Sequence, residues 1–165
     1  MNYFLIIRGP LASGKSTISR KLCNLLNAEQ ISIDTILDEH NLAKDREEGY
    51  ISQKNFKKAN EIVVPIIKKL LDKGKVVIID GNFYWKSQID DLIEKLKKYR
   101  HFIFTLNASV EICIDRDVER GKTHGEEAVR VVHKKSTELI YGNVIDITQP
   151  LDKAIKQILS FLPQN

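Results

Sequence analysis

The sequence is poor in cysteine and proline. Its two cysteines, Cys23 and Cys113, lie far apart, and neither belongs to a CxxC pair or a Cys/His cluster. This spacing indicates neither a zinc site nor a redox pair, so both thiols are expected to be reduced core residues. The four prolines are scattered over 165 residues and mark no linker or disordered tail. We therefore expect a single domain over residues 1–165.

Long apolar runs are also missing. The run at residues 3–7 has no basic stretch before it and is shorter than a signal-peptide core. No later run approaches the length of a membrane-spanning helix. These absences predict a cytoplasmic protein without a membrane partner, and they leave open whether it is a monomer or a homodimer.

The charge balance is mildly basic, with a net charge of +4 and a pI near 9.0. Such a balance permits an anionic ligand and does not identify one. The lysines fall on predicted helix surfaces without the interleaved aromatic residues that stack bases. We therefore interpret them as solvated helix faces and do not favour nucleic acid as a partner.

Short apolar strands alternate with amphipathic helices along the chain. The predicted strands are 3–7, 30–33, 76–80, 101–106 and 144–147, and the predicted helices are 15–27, 52–72, 88–99, one from 109 onward and 151–161. Repeated strand–helix units predict an α/β fold of three layers around a five-stranded parallel sheet. Pro65 is expected to kink the second helix. Residues 35–60 are expected to be an acceptor-side mobile region that includes a short helix.

A phosphate-binding loop is the most specific motif. Residues 9–16, GPLASGKS, match GxxxxGK[ST] between a predicted strand and a predicted helix. In this motif backbone N–H groups surround the phosphates, Lys15 reaches the β- and γ-phosphates, and Ser16 offers its hydroxyl to Mg²⁺. A glycine-rich turn with a chance lysine is the disfavoured alternative. The predicted residues of this nucleoside triphosphate site are Gly9, Ala12, Ser13, Gly14, Lys15, Ser16 and Thr17.

Two acids end predicted strands, where ligands collect in an open parallel sheet. Asp80 takes the position of a Walker B acid that orients Mg²⁺ directly or through water, with a helix N-cap or a loop acid as the alternative. Asp34 is a candidate base for the proton of an attacking hydroxyl. Its alternative is the N-cap of a helix that begins at Thr35, and the two interpretations have equal weight.

Three adjacent aromatic residues, Phe83, Tyr84 and Trp85, follow the third predicted strand in a chain that is only 7% aromatic. They are candidates for the wall of an acceptor pocket. A hydrophobic plug beneath the next helix is the alternative, and we favour it slightly.

Arg116 and Arg120 lie four residues apart on a predicted helix that should break at the following glycine. Arginines on a mobile segment can close over a γ-phosphate, neutralise its developing charge and exclude water. We therefore expect a lid at about residues 116–128, with both arginines as catalytic and nucleotide-binding candidates. The alternative is surface ion pairing with the acids Asp115, Asp117 and Glu119.

Taken together, these motifs resemble the P-loop kinase family, in particular its zeta-toxin, chloramphenicol-phosphotransferase and polynucleotide-kinase kinase-domain group. The matching residues are GPLASGKST, Asp34, Asp80 in VVIIDGN, and RDVERG with its two arginines, so nearly the whole chain is covered. The resemblance implies strand order 2-3-1-4-5, Asp34 as catalytic base, and a lid that holds the triphosphate. Residues 145–150 resemble the segment that borders adenine in adenylate-kinase-like enzymes, which favours ATP.

The expected activity is ATP-dependent, Mg²⁺-assisted transfer of the γ-phosphoryl group to a hydroxyl of a small molecule or nucleoside. A nucleic-acid 5′-hydroxyl is a narrower variant, although Leu37 stands where polynucleotide-kinase-like members carry an arginine, with Arg46 as a substitute candidate. A nucleoside-monophosphate kinase is the first alternative, but it normally needs several acceptor-side arginines. A nucleotide-binding ATPase or switch without an acceptor is the second.

Overall fold

The computed structural model describes residues 2–164. Its strands are β1 (Tyr3–Arg8), β2 (Glu29–Ser32), β3 (Arg46–Glu47), β4 (Tyr50–Ile51), β5 (Val77–Gly81), β6 (Arg100–Asn107) and β7 (Asn143–Asp146). Its helices are α1 (Lys15–Leu26), α2 (Ile33–Glu39), α3 (Gln53–Asp72), α4 (Lys86–Lys95), α5 (Val110–Glu119), α6 (Glu126–Thr137) and α7 (Leu151–Ser160). Among these helices none is both long and apolar enough to cross a lipid bilayer.

Five strands form one sheet in the order β2-β5-β1-β6-β7, and every neighbouring pair is parallel. The strands β3 and β4 form a separate antiparallel hairpin. The numbering differs from the predicted 2-3-1-4-5 because the hairpin was not predicted from the sequence. Counted without β3 and β4, the five sheet strands lie beside one another as 2-3-1-4-5.

The sheet is covered by helices on both faces. All six residues of β1 are buried because this strand lies at the centre of the sheet. Its side chains alternate between two apolar clusters, with Phe4 and Ile6 on the α2–α4 side and Leu5 and Ile7 on the side of α1 and α5–α7. This gives the predicted three layers, with β1 leading directly into the phosphate-binding loop.

Some predicted helix bounds agree with the structure and others do not. The helix expected from residue 109 onward is α5, which ends at Glu119 beside the predicted break at Gly121, whereas α6, which begins at Glu126, was not predicted. The helix α3 continues through Pro65 to Asp72, and it begins after the cap Ser52, whose hydroxyl accepts the Asn55 N–H at 3.1 Å. The segment expected to be mobile contains the hairpin as well as the short helix α2.

Candidate active site

The loop between β1 and α1 has the geometry that the phosphate-binding motif requires. Gly14 has φ of 87°, a left-handed conformation that favours glycine, immediately before the first turn of α1. A Cβ atom at Gly9 would lie 3.1 Å from both Cβ and the carbonyl oxygen of Leu106, so a side chain there would crowd β6 and require its neighbours to shift. Both positions therefore favour glycine in this turn in front of the helix N-terminus.

A cavity of about 440 Å³, here called the donor cavity, lies against this loop. It brings together elements that are distant in sequence, namely the loop, α2, the end of α5 and the chain around α7. Its lining residues are Leu11, Ala12, Ser13, Gly14, Lys15, Ser16, Thr17, Ile18, Arg20, Asp34, Arg116, Glu119, Arg120, His124, Ile147, Gln149, Leu151 and Ala154. Of the predicted site residues, Gly9 and Asp80 lie outside this lining.

Lys15 is almost fully buried at the floor of the donor cavity. Its Nζ donates to the carbonyl oxygens of Gly9 at 3.0 Å and Pro10 at 2.7 Å. Burial lowers the pKa of Lys15 to about 8, while Asp34 and Asp80 act to raise it. The ammonium group is thus partly desolvated, and a phosphate bound nearby would stabilise its charged form.

Arg116 reaches across the donor cavity from α5. Its guanidinium donates to the carbonyl oxygen of Ile147 at 2.9 Å and, more weakly, to that of Ser13 at 3.4 Å. It makes no ion pair with any residue in the range 2–164, so the expected alternative of surface ion pairing was wrong for this residue. The side chain therefore links the phosphate-binding loop to the segment after β7.

Asp117 fixes the loop that follows α5. This buried carboxylate accepts the backbone N–H of His124 at 3.1 Å and that of Gly125 at 2.9 Å. Its own carbonyl accepts the Lys122 N–H at 2.8 Å. Asp117 is thus the anchor of residues 120–125, the segment that places Arg120 and His124 at the donor cavity.

Asp80 lies within β5 and is only 2% exposed. Gln30 Nε2 donates to its Oδ2 at 2.7 Å. Burial raises the pKa of Asp80, the Gln30 hydrogen bond lowers it, and nearby Asp34 raises it further. The N-cap alternative was wrong, because the cap position before α4 belongs to Trp85.

Asp34 lies in the first turn of α2, so the prediction that it ends a strand was wrong. Ser32 ends β2 and caps α2, with its hydroxyl accepting the Thr35 N–H at 3.4 Å. The N-cap alternative for Asp34 was therefore wrong as well. The side chain of Asp34 opens onto the donor cavity. Partial desolvation raises the pKa of Asp34, which Lys15 lowers.

A second cavity of about 520 Å³, here called the acceptor-side cavity, lies between the β3–β4 hairpin and α6. Its lining residues are Arg46, Gly49, Tyr50, Tyr84, His124, Gly125, Glu126, Glu127, Ala128, Val131 and Val132. Of the three adjacent aromatic residues only Tyr84 lines it, while Phe83 is fully buried in the core. Phe83 therefore fits the slightly favoured alternative of a hydrophobic plug in the core, whereas Tyr84 forms part of the wall of the acceptor-side cavity.

His124 lines both cavities and was missed from the sequence. No motif singles it out, because its position depends on the Asp117 anchor and on the packing of α6 beside the hairpin. Arg20 and Glu119 were also missed as lining residues of the donor cavity. Residues of the segment expected to border adenine do contribute to that cavity, through Ile147 and Gln149.

Comparison with known proteins assigns the family. The profile described as AAA domain matches residues 4–140. The chain belongs to this AAA domain family. The AAA domain is 25% identical over 179 residues to UMP-CMP kinase 2 of Caenorhabditis elegans, covering 99% of this chain and 91% of that protein. It is 28% identical over 172 residues to the shikimate kinase of Mannheimia succiniciproducens, covering 96% and 90%.

Solved structures share the same fold. A sugar kinase from a Janibacter species superposes with a TM-score of 0.80 at 17% identity, covering 97% of this chain and 94% of that one. A gluconokinase from Sinorhizobium meliloti superposes with a TM-score of 0.76 at 15% identity, covering 96% and 90%. These neighbours and the sequence relatives are kinases, and this AAA domain is a phosphotransferase that uses ATP.

Proposed function

We propose that the protein transfers the γ-phosphoryl group of ATP to a hydroxyl of a small molecule or nucleoside. The observation that carries this proposal is the placement of Asp34 and His124. Asp34 and the phosphate-binding loop line the same donor cavity, and His124 lines both that cavity and the acceptor-side cavity. A hydroxyl bound on the acceptor side would therefore meet the γ-phosphoryl group beside a carboxylate.

The donor half would be formed by the loop and the arginine segment. Backbone N–H groups of residues 11–17 and the positive end of α1 suit the phosphates of ATP. Lys15 would exchange its bonds to the loop carbonyls for bonds to phosphate oxygens. Arg116 and Arg120 would neutralise charge on the transferred group, with residues 116–128 acting as a lid.

The donor set also suits Mg²⁺. Ser16 is exposed at the donor cavity, and Asp80 is a buried carboxylate near Lys15. No three His, Cys, Asp or Glu side chains within residues 2–164 gather into a metal cluster. This fits a cation that is held mainly by phosphate oxygens and water, as Mg²⁺ usually is in kinases. When bound, it would neutralise phosphate charge during transfer.

Asp34 would act as the general base. The pKa of Asp34 is raised towards neutral pH, which makes the carboxylate a better acceptor for the proton of a hydroxyl. The pure ATPase or switch is less well supported, because a second cavity, which shares His124 with the donor cavity, is available to an acceptor. The narrower likeness to the zeta-toxin group, and with it a nucleic-acid 5′-hydroxyl as acceptor, stays a prediction.

The test is acceptor-dependent ADP release by Asp34→Asn and Lys15→Ala. Asp34→Asn is expected to lower kcat by about 100-fold or more with ATP affinity retained, in the range of general-base losses. Lys15→Ala is expected to weaken ATP binding itself. Glu39→Gln, at the exposed end of α2 and outside the lining of both cavities, is the matched control. Unchanged turnover in Asp34→Asn would remove the proposed base.

A further inference from the structure

The acceptor-side cavity offers a single permanent cation to a ligand. Within the described residues, Arg46 is the only lysine or arginine that lines it. The Arg46 side chain is exposed and forms no hydrogen bond or ion pair with any residue from 2 to 164. An arginine without a partner at the wall of a cavity is suited to a planar anion, which it can bind through two parallel hydrogen bonds.

The backbone beneath Arg46 is held in place. Arg46 pairs with Ile51 across the hairpin. The Ile51 N–H donates to the hydroxyl of Tyr84 at 3.0 Å, and Trp85 Nε1 donates to the Ile51 carbonyl at 2.8 Å. The hairpin is thus clamped onto two residues that directly follow β5. Arg46 is displayed on a fixed support and not on a free loop.

Neighbouring charges are already occupied. Glu47 accepts the backbone N–H of Gln53 at 3.2 Å and its side-chain amide at 2.7 Å. Lys135 is not among the lining residues, and its Nζ lies 3.9 Å from the ring centroid of Trp85, 5.5 Å from that of Tyr50 and 3.8 Å from a carboxylate oxygen of Glu138. Glu47 is therefore held by Gln53, and Lys135 is held by two aromatic rings and a carboxylate.

The remaining charges of the cavity disfavour an acceptor with two or more negative charges. Glu126 pairs with Arg130 at 2.9 Å, which leaves Glu127 as an unpaired carboxylate on the lining. A phosphate monoester would meet one guanidinium and one like charge, whereas a carboxylate needs only the guanidinium. The apolar lining of Tyr84, Val131 and Val132 suits a carbon skeleton between the two ends of the acceptor.

Arg46 and Asp34 both act on the Tyr84 hydroxyl. Burial raises the pKa of Tyr84 to about 12, Arg46 opposes this rise and Asp34 adds to it. Both charged groups are thus near enough to Tyr84 to affect its ionisation, and the cavities that they line share His124. An anion-binding group and a proton acceptor therefore line two adjoining cavities.

We infer that the acceptor is a small hydroxylated carboxylic acid, whose carboxylate pairs with Arg46 while its hydroxyl faces Asp34. The inference rests on the proposed kinase function. In the reaction the hydroxyl oxygen forms a bond to the γ-phosphorus, and the bond from that phosphorus to the β–γ bridging oxygen breaks. ADP leaves with the bonding electrons, and the hydroxyl proton goes to Asp34.

The experiment measures ATP-dependent phosphorylation of matched acceptors. The panel contains cyclic and open-chain hydroxy acids, the uncharged amide of each acid, sugars of similar size and nucleoside monophosphates. At least one hydroxy acid is expected to exceed its amide by about tenfold or more in kcat/KM. Arg46→Gln is expected to lower kcat/KM for that acid by about 10- to 100-fold, mainly through KM, in line with a lost charged hydrogen-bonded pair.

Controls separate this inference from the kinase function. Arg46→Gln should lower kcat/KM for the amide much less than for the acid, with ATP affinity retained. Arg100→Gln, at the exposed start of β6 and outside the lining of both cavities, should leave every acceptor unchanged. Two results would overturn the inference and leave the kinase function intact. One is efficient phosphorylation of sugars or nucleoside monophosphates with no preference for a carboxylate. The other is an equal loss of kcat/KM for acid and amide in Arg46→Gln. ATP hydrolysis without transfer to any acceptor would reject both.

Discussion

Nη1 of Arg8 donates to Oγ1 of Thr105 at 2.9 Å inside the protein, although Arg8 is fully buried and carries no carboxylate partner among residues 2–164. Its other N–H groups reach the carbonyl oxygens of Phe83 at 3.1 Å, Ser136 at 3.1 Å and Leu139 at 2.8 Å. The last two lie at the end of α6, where unpaired helix carbonyls carry partial negative charge. Arg8 therefore joins the start of the phosphate-binding loop to the far ends of β5, β6 and α6.

Replacing Arg8 is expected to be severely destabilising. Arg8→Met keeps much of the side-chain volume but leaves the buried carbonyl groups without donors, which should cost about 3–5 kcal/mol. Burial lowers the pKa of Arg8 to about 10, so the group is still charged at neutral pH. Urea unfolding measures the loss. Arg100→Met, at the exposed start of β6, is the control, and a loss below about 1 kcal/mol in Arg8→Met would contradict the bonding scheme.

The donor half of the site was predictable from sequence because its determinants are local. The loop motif, the strand before it and the helix after it lie within the first 26 residues, and the structure places Lys15 and Ser16 at the donor cavity as expected. Asp80 was placed near the correct strand end because β5 is a continuous apolar run. Periodicity and a fixed motif together identify such features.

The acceptor half depends on tertiary contacts that leave little trace in sequence. The strands β3 and β4 have two residues each, which is too short for a strand pattern. His124 reaches both cavities only because Asp117 anchors its backbone. The role of Arg46 depends on the clamp that Tyr84 and Trp85 form around Ile51. None of these contacts follows from spacing along the chain.

The anchor at Asp117 can be tested by a neutral substitution. Asp117→Asn replaces one of two acceptor oxygens by an amide donor, which then opposes the N–H of His124 or Gly125. We expect a stability loss of about 1–2 kcal/mol, similar to the loss of a helix cap. We also expect a kcat several-fold lower, because Arg120 and His124 lose their fixed backbone. Thermal unfolding and steady-state kinetics measure the two effects.

Asp115→Asn is the matched control for this anchor. Asp115 lies on the same helix, is exposed and makes no hydrogen bond within the described chain. The charge change is identical in the two variants, so a difference between them reports the anchor itself. Equal stability and equal kcat in both would show that residues 120–125 do not depend on Asp117.

The lowered pKa of Lys15 predicts that ATP binding is coupled to the uptake of a proton. Its pKa is lowered to about 8 by burial, and bound phosphates would raise it. At pH 8 about half of the free molecules lack this proton, so binding should take up about half a proton and affinity should fall as pH rises through 8. Calorimetry of Mg-ATP binding in buffers of different ionisation enthalpy measures the uptake. Lys15→Gln, which carries no ionisable group at this position, should abolish it. The same uptake in both proteins would assign the proton to another group.

The hydrogen bond from Gln30 to Asp80 predicts that replacing Gln30 will change how activity falls at low pH. Its amide donates to Asp80, and this hydrogen bond holds down a pKa that burial raises. Gln30→Leu should raise the pKa of Asp80 further, and the ionised carboxylate is the form proposed to orient Mg²⁺. The rise of kcat/KM for Mg-ATP with increasing pH should therefore move to higher pH, and the Mg²⁺ requirement should increase.

Glu29→Gln tests whether that shift comes from the Gln30 hydrogen bond. Glu29 is exposed on the same strand as Gln30, and its carboxylate pairs weakly with Lys75 at 4.0 Å. It donates no hydrogen bond to Asp80. Its pH profile should match that of the unmodified protein, whereas that of Gln30→Leu should not. Coinciding profiles for all three proteins would show that the Gln30 hydrogen bond to Asp80 does not set the acid limb of activity.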